Sequence, residues 1–318
     1  MTPETVLVVG STGLVGGAAS RALATRGHLV RALVRRPEAA QQFADPRITP
    51  VVGDLLGQGD WGSALEGVTA IVDATQVRLP GRLTVSVARR AADDRRRMVS
   101  FLLSKVRAQS ATLRCYVALS GLEDYVPTGD AWFDESTPQT ATPFGYSHLS
   151  VQSRALLAAA RREWGLPLVT LRMGLIYGPT GWFPEFATRI RRGRGVLVGR
   201  GTNFSSLVSA TDVGEGIRAA VERAPRGEEF LVVDDEPMPQ YAWQAALAGA
   251  LGMPPVRRRI PFWLASFVAG RVNAETFASS RRARNLRAKE RLGLELTYPT
   301  VRQGFPAALA VPAEGSTG

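Results

Sequence analysis

The chain has almost no cysteine, lysine or histidine. Among its 318 residues there is one cysteine, Cys115, two lysines, Lys105 and Lys289, and two histidines, His28 and His148. A single cysteine excludes an intramolecular disulfide and any cysteine-based metal site, so no metal is expected. No apolar run approaches the roughly 20 residues that span a bilayer. The opening Met1-Thr2-Pro3-Glu4-Thr5 lacks the basic start of a secretory signal. The expectation is a cytoplasmic protein without a membrane partner. Internal repeats and low-complexity linkers are also missing, and only residues 312–318 read as a disordered tail.

With lysine so scarce, the formal net charge of +11 is carried by arginine. Together with abundant alanine, glycine and proline, that skew looks like GC-rich coding more than selection for a polyanion. The arginines are dispersed over Arg95 to Arg97, Arg189 to Arg194, Arg257 to Arg259 and Arg281 to Arg287. None is interleaved with aromatics as a nucleic-acid groove requires, so no nucleic-acid partner is expected. An acidic substrate, such as a carrier-protein thioester, is compatible with the charge.

What the chain does have is a short aliphatic run leading into spaced glycines: Val6-Leu7-Val8-Val9-Gly10-Ser11-Thr12-Gly13-Leu14-Val15-Gly16. An alanine-rich helical stretch follows from Gly17 to about Thr25. Strand, tight turn and helix are the context in which G-x-x-G-x-x-G signals dinucleotide binding. Gly10 permits the turn, Gly13 lets backbone approach a pyrophosphate, and Gly16 permits close helix–strand packing. The free amides and dipole of the helix start favour phosphate. Without a ligand, the same pattern would be only a turn and a helix start.

The second strand, Leu29 to Val34, ends in Arg35-Arg36-Pro37. An acidic residue at such a strand end accepts hydrogen bonds from the adenosine ribose and selects NAD, whereas arginine pairs with the 2′-phosphate of NADP. Val34 occupies the acidic position here, so NADP(H) is expected, against the alternative of a solvated basic strand end. The third strand, Ile48 to Val52, leads into Gly53-Asp54-Leu55. Asp54 there either bonds the adenine amino group or caps the turn towards a helix around Trp61 to Leu65. A fourth strand, Ala70 to Thr75, ends in Ala74 and Thr75 beside the cofactor. Residues 77–110 read as a long arginine-rich helix, Leu113 to Leu119 and Leu166 to Leu171 as the fifth and sixth strands, and Tyr146 to Trp164 as the helix between them. Such alternation implies an α/β fold, a Rossmann doubly wound parallel sheet, with a smaller C-terminal substrate lobe. Phe230 to Val233 reads as a late strand of the same sheet. Gln240 to Leu251 and Pro261 to Ala274 read as lobe helices, with Trp263, Phe267 and Phe277 supplying apolar contacts.

In these motifs the chain resembles the short-chain dehydrogenase/reductase superfamily, in its extended, epimerase/dehydratase-like branch. The glycine motif and Gly53-Asp54-Leu55 match that family. Leu171 to Pro179 is similar to its segment along the nicotinamide, which implies that Met173, Gly174, Leu175 and Ile176 touch the cofactor. Val208 to Gly214 and Asn285 to Leu294 match its later segments. The resemblance implies residues 1–175 as the NADP(H)-binding domain, with 206–235 returning to it. Residues 176–205 and 236–311 would then form the lobe. It also implies a possible homodimer through the stretch 93–110 and the helix after Tyr146.

The family's chemistry uses a Ser or Thr, a Tyr, and a Lys four residues after the Tyr. Tyr146 matches the tyrosine, but Ser150 stands where the lysine should be. The position about 25 residues before Tyr146 is Gly121, so Ser120 serves only with a shift of one. A tyrosine without its neighbouring cation is a poor base at neutral pH but a usable acid, which favours carbonyl reduction. Glu123 and Asp124 follow the fifth strand, where extended dehydratases carry an acid/base pair, and a surface loop acid is the plainer alternative. His148 is a further candidate acid. Tyr125, Trp132, Phe133, Trp182, Phe183 and Phe204 are expected at the pocket mouth, where they suit a bulky polycyclic substrate, or in a lobe core. Three readings follow: an NADPH-dependent ketoreductase of a hydrophobic small molecule in secondary metabolism, a redox-neutral dehydratase, epimerase or cyclase, and a non-catalytic NADP(H)-binding protein.

Overall fold

A computed structural model describes residues 2–56, 61–108 and 111–311. The tail expected at 312–318 lies outside the described residues.

The sheet is built from short aliphatic runs that bury on both sides. Its strands are β1 (Thr5–Val9), β2 (Leu29–Val34), β3 (Ile48–Val52), β4 (Ala70–Asp73), β5 (Cys115–Gly121), β6 (Leu168–Met173) and β7 (Glu229–Val232). All pair in parallel, in the spatial order β7-β6-β5-β4-β1-β2-β3. The period of two divides β1 between two cores. Val6 and Val8 pack with α1 (Leu14–Thr25) and α5 (Ala210–Arg223), whereas Leu7 and Val9 face α2 (Val85–Arg107) and α3 (Ser147–Trp164). Helices on both faces make this the expected doubly wound, Rossmann-type sheet. A third core joins Tyr177, Phe183, Trp243 and Phe305 from α4 (Trp182–Arg191), α6 (Gln240–Ala250), α10 (Val301–Ala310) and their flanks.

Several boundaries differ from expectation for identifiable reasons. The long helix begins at Val85, where the Thr84 hydroxyl accepts from the Val87 amide at 3.3 Å, because Pro80-Gly81 precedes it. Its expected last residues, 109 and 110, lie outside the described residues. The segment Trp61 to Leu65 holds only a 3-10 turn over Gly62–Leu65. The sixth strand starts two residues late because Gly165 ends α3 in the left-handed conformation and Pro167 follows. The fifth strand extends to Gly121, which pairs with Met173, so Ser120 and Gly121 lie within it. The single helix expected over Pro261 to Ala274 is two, α7 (Phe262–Ala269) and α8 (Arg271–Ala278). They break at Gly270, whose φ is +86° and where a Cβ would lie 2.3 Å from the Leu83 carbonyl.

The aromatics also redistribute. Tyr125, Phe133 and Phe183 are buried in cores, not at a pocket mouth. Trp263 and Phe267 are exposed, not lobe contacts, while Phe277 does pack on Trp182. Among the described residues no helix is long and apolar enough to cross a membrane.

The late segments are pinned by the motifs of the sequence. Asp212 caps α5 together with Ser209 and also accepts the Thr297 and Tyr298 amides. Asn285 bonds the Val233 carbonyl at 2.9 Å, and Lys289 pairs with Asp235 at 2.6 Å. These residues fasten α9 (Leu286–Leu292) and the C-terminal segment to the sheet.

Candidate active site

The strands all run the same way, so their C-terminal ends share one edge. Between β1 and β4 the chain leaves in opposite directions, and such a switch point opens a crevice. Gly10 turns here with φ +76°, and a Cβ on it would lie 2.4 Å from the Ala74 carbonyl oxygen. A Cβ on Gly16 would meet the Gly10 carbonyl at 2.2 Å. The Gly13 amide closes the turn onto Gly10 at 3.0 Å, and Gly13 is the N-cap of α1. No side chain caps α1 and no acid occupies its first turn, so the amides of Leu14, Val15 and Gly16 are left for an anion. Thr12 and Gly13 are exposed at this opening, and Leu14 and Val15 half-buried. The Ser11 hydroxyl is committed to the Leu33 carbonyl at 2.9 Å, so Ser11 ties β1 to β2 and offers the crevice only its backbone.

The other expected cofactor residues border the same edge. Arg35 and Arg36 are exposed just past β2, and among the described residues neither enters an ion pair. Asp54 accepts the Leu56 amide at 3.0 Å, which is the turn-capping role, and Leu55 points into the core with Trp61. Ala74 and Thr75 are half-buried beside Gly10. Met173 closes β6, and Gly174, Leu175 and Ile176 continue from it half-buried. A Cβ at Gly174 would lie 2.3 Å from the Ser206 carbonyl, so the backbone there must be bare. The crevice floor is held by buried Asp73, which accepts two bonds from Arg95 at 2.8 and 3.1 Å and others from Thr75 and Tyr116. Burial pushes that carboxyl up, but Arg95 and Thr75 together hold it below the ordinary carboxylate range.

Tyr146 stands at the start of α3, half-buried, with its ring against Leu83, Ala88 and Val272. Its hydroxyl donates to Asn273 Oδ1 at 3.0 Å, and Asn273 is held by the Ala269 and Gly81 carbonyls. Burial and the nearby Glu123 charge raise the phenol well above its usual value. Among the described residues no cation counters this. Glu123 lies against Gly121, Gly145 and Thr276, and burial raises its carboxyl more than Arg281 lowers it. His148 is half-buried, and burial lowers its imidazole below the ordinary value. His28 is buried between the Glu4 amide and Glu222, a structural position.

Ser120 and Ser150 converge on one residue. Both hydroxyls donate to Asp124, Ser150 at 2.7 Å, and Asp124 is fully buried. Arg172 completes this centre by pairing with Asp124 and, at 2.6 Å, with Glu229, while Arg154 approaches Asp124 at 3.4 Å. Among the described residues no hydrogen bond joins Tyr146 to either serine. The lysine position is therefore filled by a hydroxyl anchored to a buried carboxylate.

A family model described as the NAD dependent epimerase/dehydratase family matches residues 6–233. The chain belongs to this family. It is 32% identical to a 3-diazoavenalumate denitrifying reductase of a Streptomyces species, over 94% of this chain and 98% of the relative. It is 29% identical to a 4-hydroxy-2-methyl-3-oxo-4-farnesyl-3,4-dihydroquinoline-1-oxide ketoreductase of Stigmatella aurantiaca, over 82% and 78% of the two chains. The crystal structure of the human epimerase family protein SDR39U1 with NADPH superposes with a TM-score of 0.77 at 20% identity, covering 96% of this chain and 98% of that one. As a member of the epimerase/dehydratase family with reductases among its relatives, the protein is an NAD(P)-dependent oxidoreductase using a nicotinamide cofactor.

The partners are not legible in the sequence: with Glu123, Asp124 reads there as an acid/base pair or a loop acid and not as the buried anchor of Ser120 and Ser150, and Arg172, Asn273 and the Asp73–Arg95 pair carry no site reading. An acid within a buried strand, as Asp73 is in Ala-Ile-Val-Asp-Ala, was a usable signal, since a carboxylate there needs a cation. Asn273 carried no signal, because it is 127 residues from Tyr146.

Proposed function

We propose that this epimerase/dehydratase-family protein is an NADPH-dependent reductase of a carbonyl on a hydrophobic small molecule of secondary metabolism. The observation that carries the reading is Tyr146: a half-buried phenol bonded to Asn273, with burial and Glu123 raising its pKa and no cation against it among the described residues, is suited to giving a proton rather than to acting as tyrosinate. The Stigmatella relative named as a ketoreductase supports carbonyl reduction, and the Streptomyces relative named as a denitrifying reductase supports reduction of a small organic molecule without indicating a carbonyl.

The tight turn at Gly10 to Gly13 and the uncapped amides of Leu14, Val15 and Gly16 fit a pyrophosphate, so the crevice suits the cofactor. Arg35 and Arg36 would hold the 2′-phosphate of NADP, which selects NADPH over NADH. When bound, NADPH supplies the hydride that adds to the carbonyl carbon. The chain's part is proton delivery: as charge builds on the carbonyl oxygen, Tyr146 Oη turns from Asn273 and donates its proton there, and solvent water returns a proton to the phenolate once the alcohol leaves. The Ser120–Asp124–Ser150 centre keeps β5 and α3 in register, and so positions the first turn of α3 that carries Tyr146. Residues 1–175 with 206–235 hold the cofactor in this scheme, and 176–205 with 236–311 the substrate.

Glu123 favours one second reading. A half-buried carboxyl with a raised pKa beside Tyr146 could shuttle a proton in a redox-neutral elimination or isomerisation. Mass spectrometry of products from polycyclic and aromatic ketones, with NADPH absorbance followed alongside, separates the two. Reduction gives a product two mass units heavier as NADPH disappears, an order-of-mass argument that needs only the added hydride and proton (about 2 Da). An isomer or dehydrated product with NADPH untouched would overturn the reductase.

A further inference from the structure

Helix α7, Phe-Trp-Leu-Ala-Ser-Phe-Val-Ala, is apolar around most of its circumference, and such helices are ordinarily buried. Here only Ala265 is buried. Trp263 is 69% exposed, Phe267 70% and Val268 62%, with Phe262 also exposed. Arg257, Arg258 and Arg259 precede the helix and are exposed, and Arg271, which follows it, pairs with Glu275 at 2.7 Å. Between Glu236 and Glu275 the chain has no acidic residue. Arg82, from the loop after β4, adds a further cation: it donates to the Phe267 carbonyl at 2.9 Å, with its guanidinium 5.9 Å from the Phe267 ring.

From this we infer that α7 is a docking surface for an anionic lipid bilayer. Aromatic side chains proud of a short helix and preceded by three arginines without an ion-pair partner among the described residues are the chemistry of the membrane interface. A second copy of the chain fits poorly, because a symmetric contact would bring the arginine clusters together with no acid between them. A protein partner fits poorly too. Eight residues make a ridge about 12 Å long, too small for the roughly 800 Å² per partner of a stable protein interface. A bilayer needs no matching surface, only apolar groups that enter it by about 5–10 Å.

The position has a functional meaning that rests on the reductase reading. The helix after α7 carries Asn273, the partner of Tyr146, and the Leu83 amide bonds Ala269 at 2.8 Å. Docking by α7 therefore sets the Tyr146 side of the site against the lipid, where a hydrophobic substrate partitions.

The test is co-sedimentation with vesicles of phosphatidylglycerol and phosphatidylcholine, against phosphatidylcholine alone, without cofactor or substrate. Binding is thus read independently of whether Tyr146 performs reduction. The protein should sediment with the anionic vesicles and be released by salt. The double variant Trp263→Gln/Phe267→Gln should bind about tenfold more weakly or less, with an unchanged melting temperature. Replacing Arg257, Arg258 and Arg259 by Gln should weaken anionic-vesicle binding about fivefold per arginine and abolish the preference over neutral lipid. This triple variant decides the matter if the double variant melts early. Failure to sediment at low salt, or variants that sediment like the parent, would overturn the inference. So would a concentration-dependent dimer lost in the double variant, or capture by an acidic carrier protein without vesicle binding.

Discussion

On the cofactor side the geometry is set by backbone, and on the substrate side by side chains drawn from distant segments. Gly10, Gly16 and Gly174 matter for what they lack, since a Cβ at each would strike a neighbouring carbonyl within 2.4 Å. Tyr146, by contrast, is defined by Asn273, Glu123 and Thr276, which reach it from two other elements. On the tyrosine side, Ser150 occupies the position where the family resemblance places a lysine. Ser150 bonds to Asp124 and brings no cation to the phenol, which is consistent with the proposed role of Tyr146 as proton donor.

If the two sides are separable, substitutions should affect either turnover or cofactor binding. The largest effect is expected at Tyr146: Tyr146→Phe should lower kcat by about 10²–10⁴, the usual worth of a positioned general acid. Gly16→Ala should follow, since a Cβ 2.2 Å from the Gly10 carbonyl forces α1 away from β1. A fluorescence titration should then show NADPH binding lost, and a thermal melt a lower midpoint. Asp73→Asn removes the charged partner of half-buried Arg95 and should cost about 1.5–3 kcal/mol in a denaturant titration. Because the folded Asp73 carboxyl lies below its unfolded value, its contribution is present above the unfolded pKa and lost as pH falls through the folded one. The parent should therefore lose stability in acid more steeply than the variant. Arg36→Ser should weaken NADPH by about tenfold and leave NADH unchanged, because a charge-assisted phosphate bond is worth about 1.5–3 kcal/mol. The smallest effect is on pH dependence: reductive kcat should show no tyrosine ionisation up to about pH 10. A decline near neutrality would point to Glu123 or His148 as the donor.

The crevice was legible in the sequence because local spacing encodes it, and a glycine three residues from the next needs no partner to be read. Sheet topology was legible for the same reason, from aliphatic runs alternating with helical stretches. The tyrosine side was legible only as a set of residue types. Ser120 and Ser150 were picked out as departures from a motif, yet their common partner Asp124 emerges only once β5 and α3 are side by side. Aromatic content likewise did not distinguish Phe183, buried against Tyr177, from Trp263, exposed on α7. Burial is decided by which elements cover a residue, and Gly270 redirects the chain between α7 and α8.

The direct test of the division between the two sides is a paired measurement on Tyr146→Phe: the NADPH dissociation constant and the single-turnover rate on a reducible ketone. The account predicts an unchanged dissociation constant and a rate lower by about 10²–10⁴. An undiminished rate, or a loss of NADPH affinity as large as the loss of rate, would contradict it.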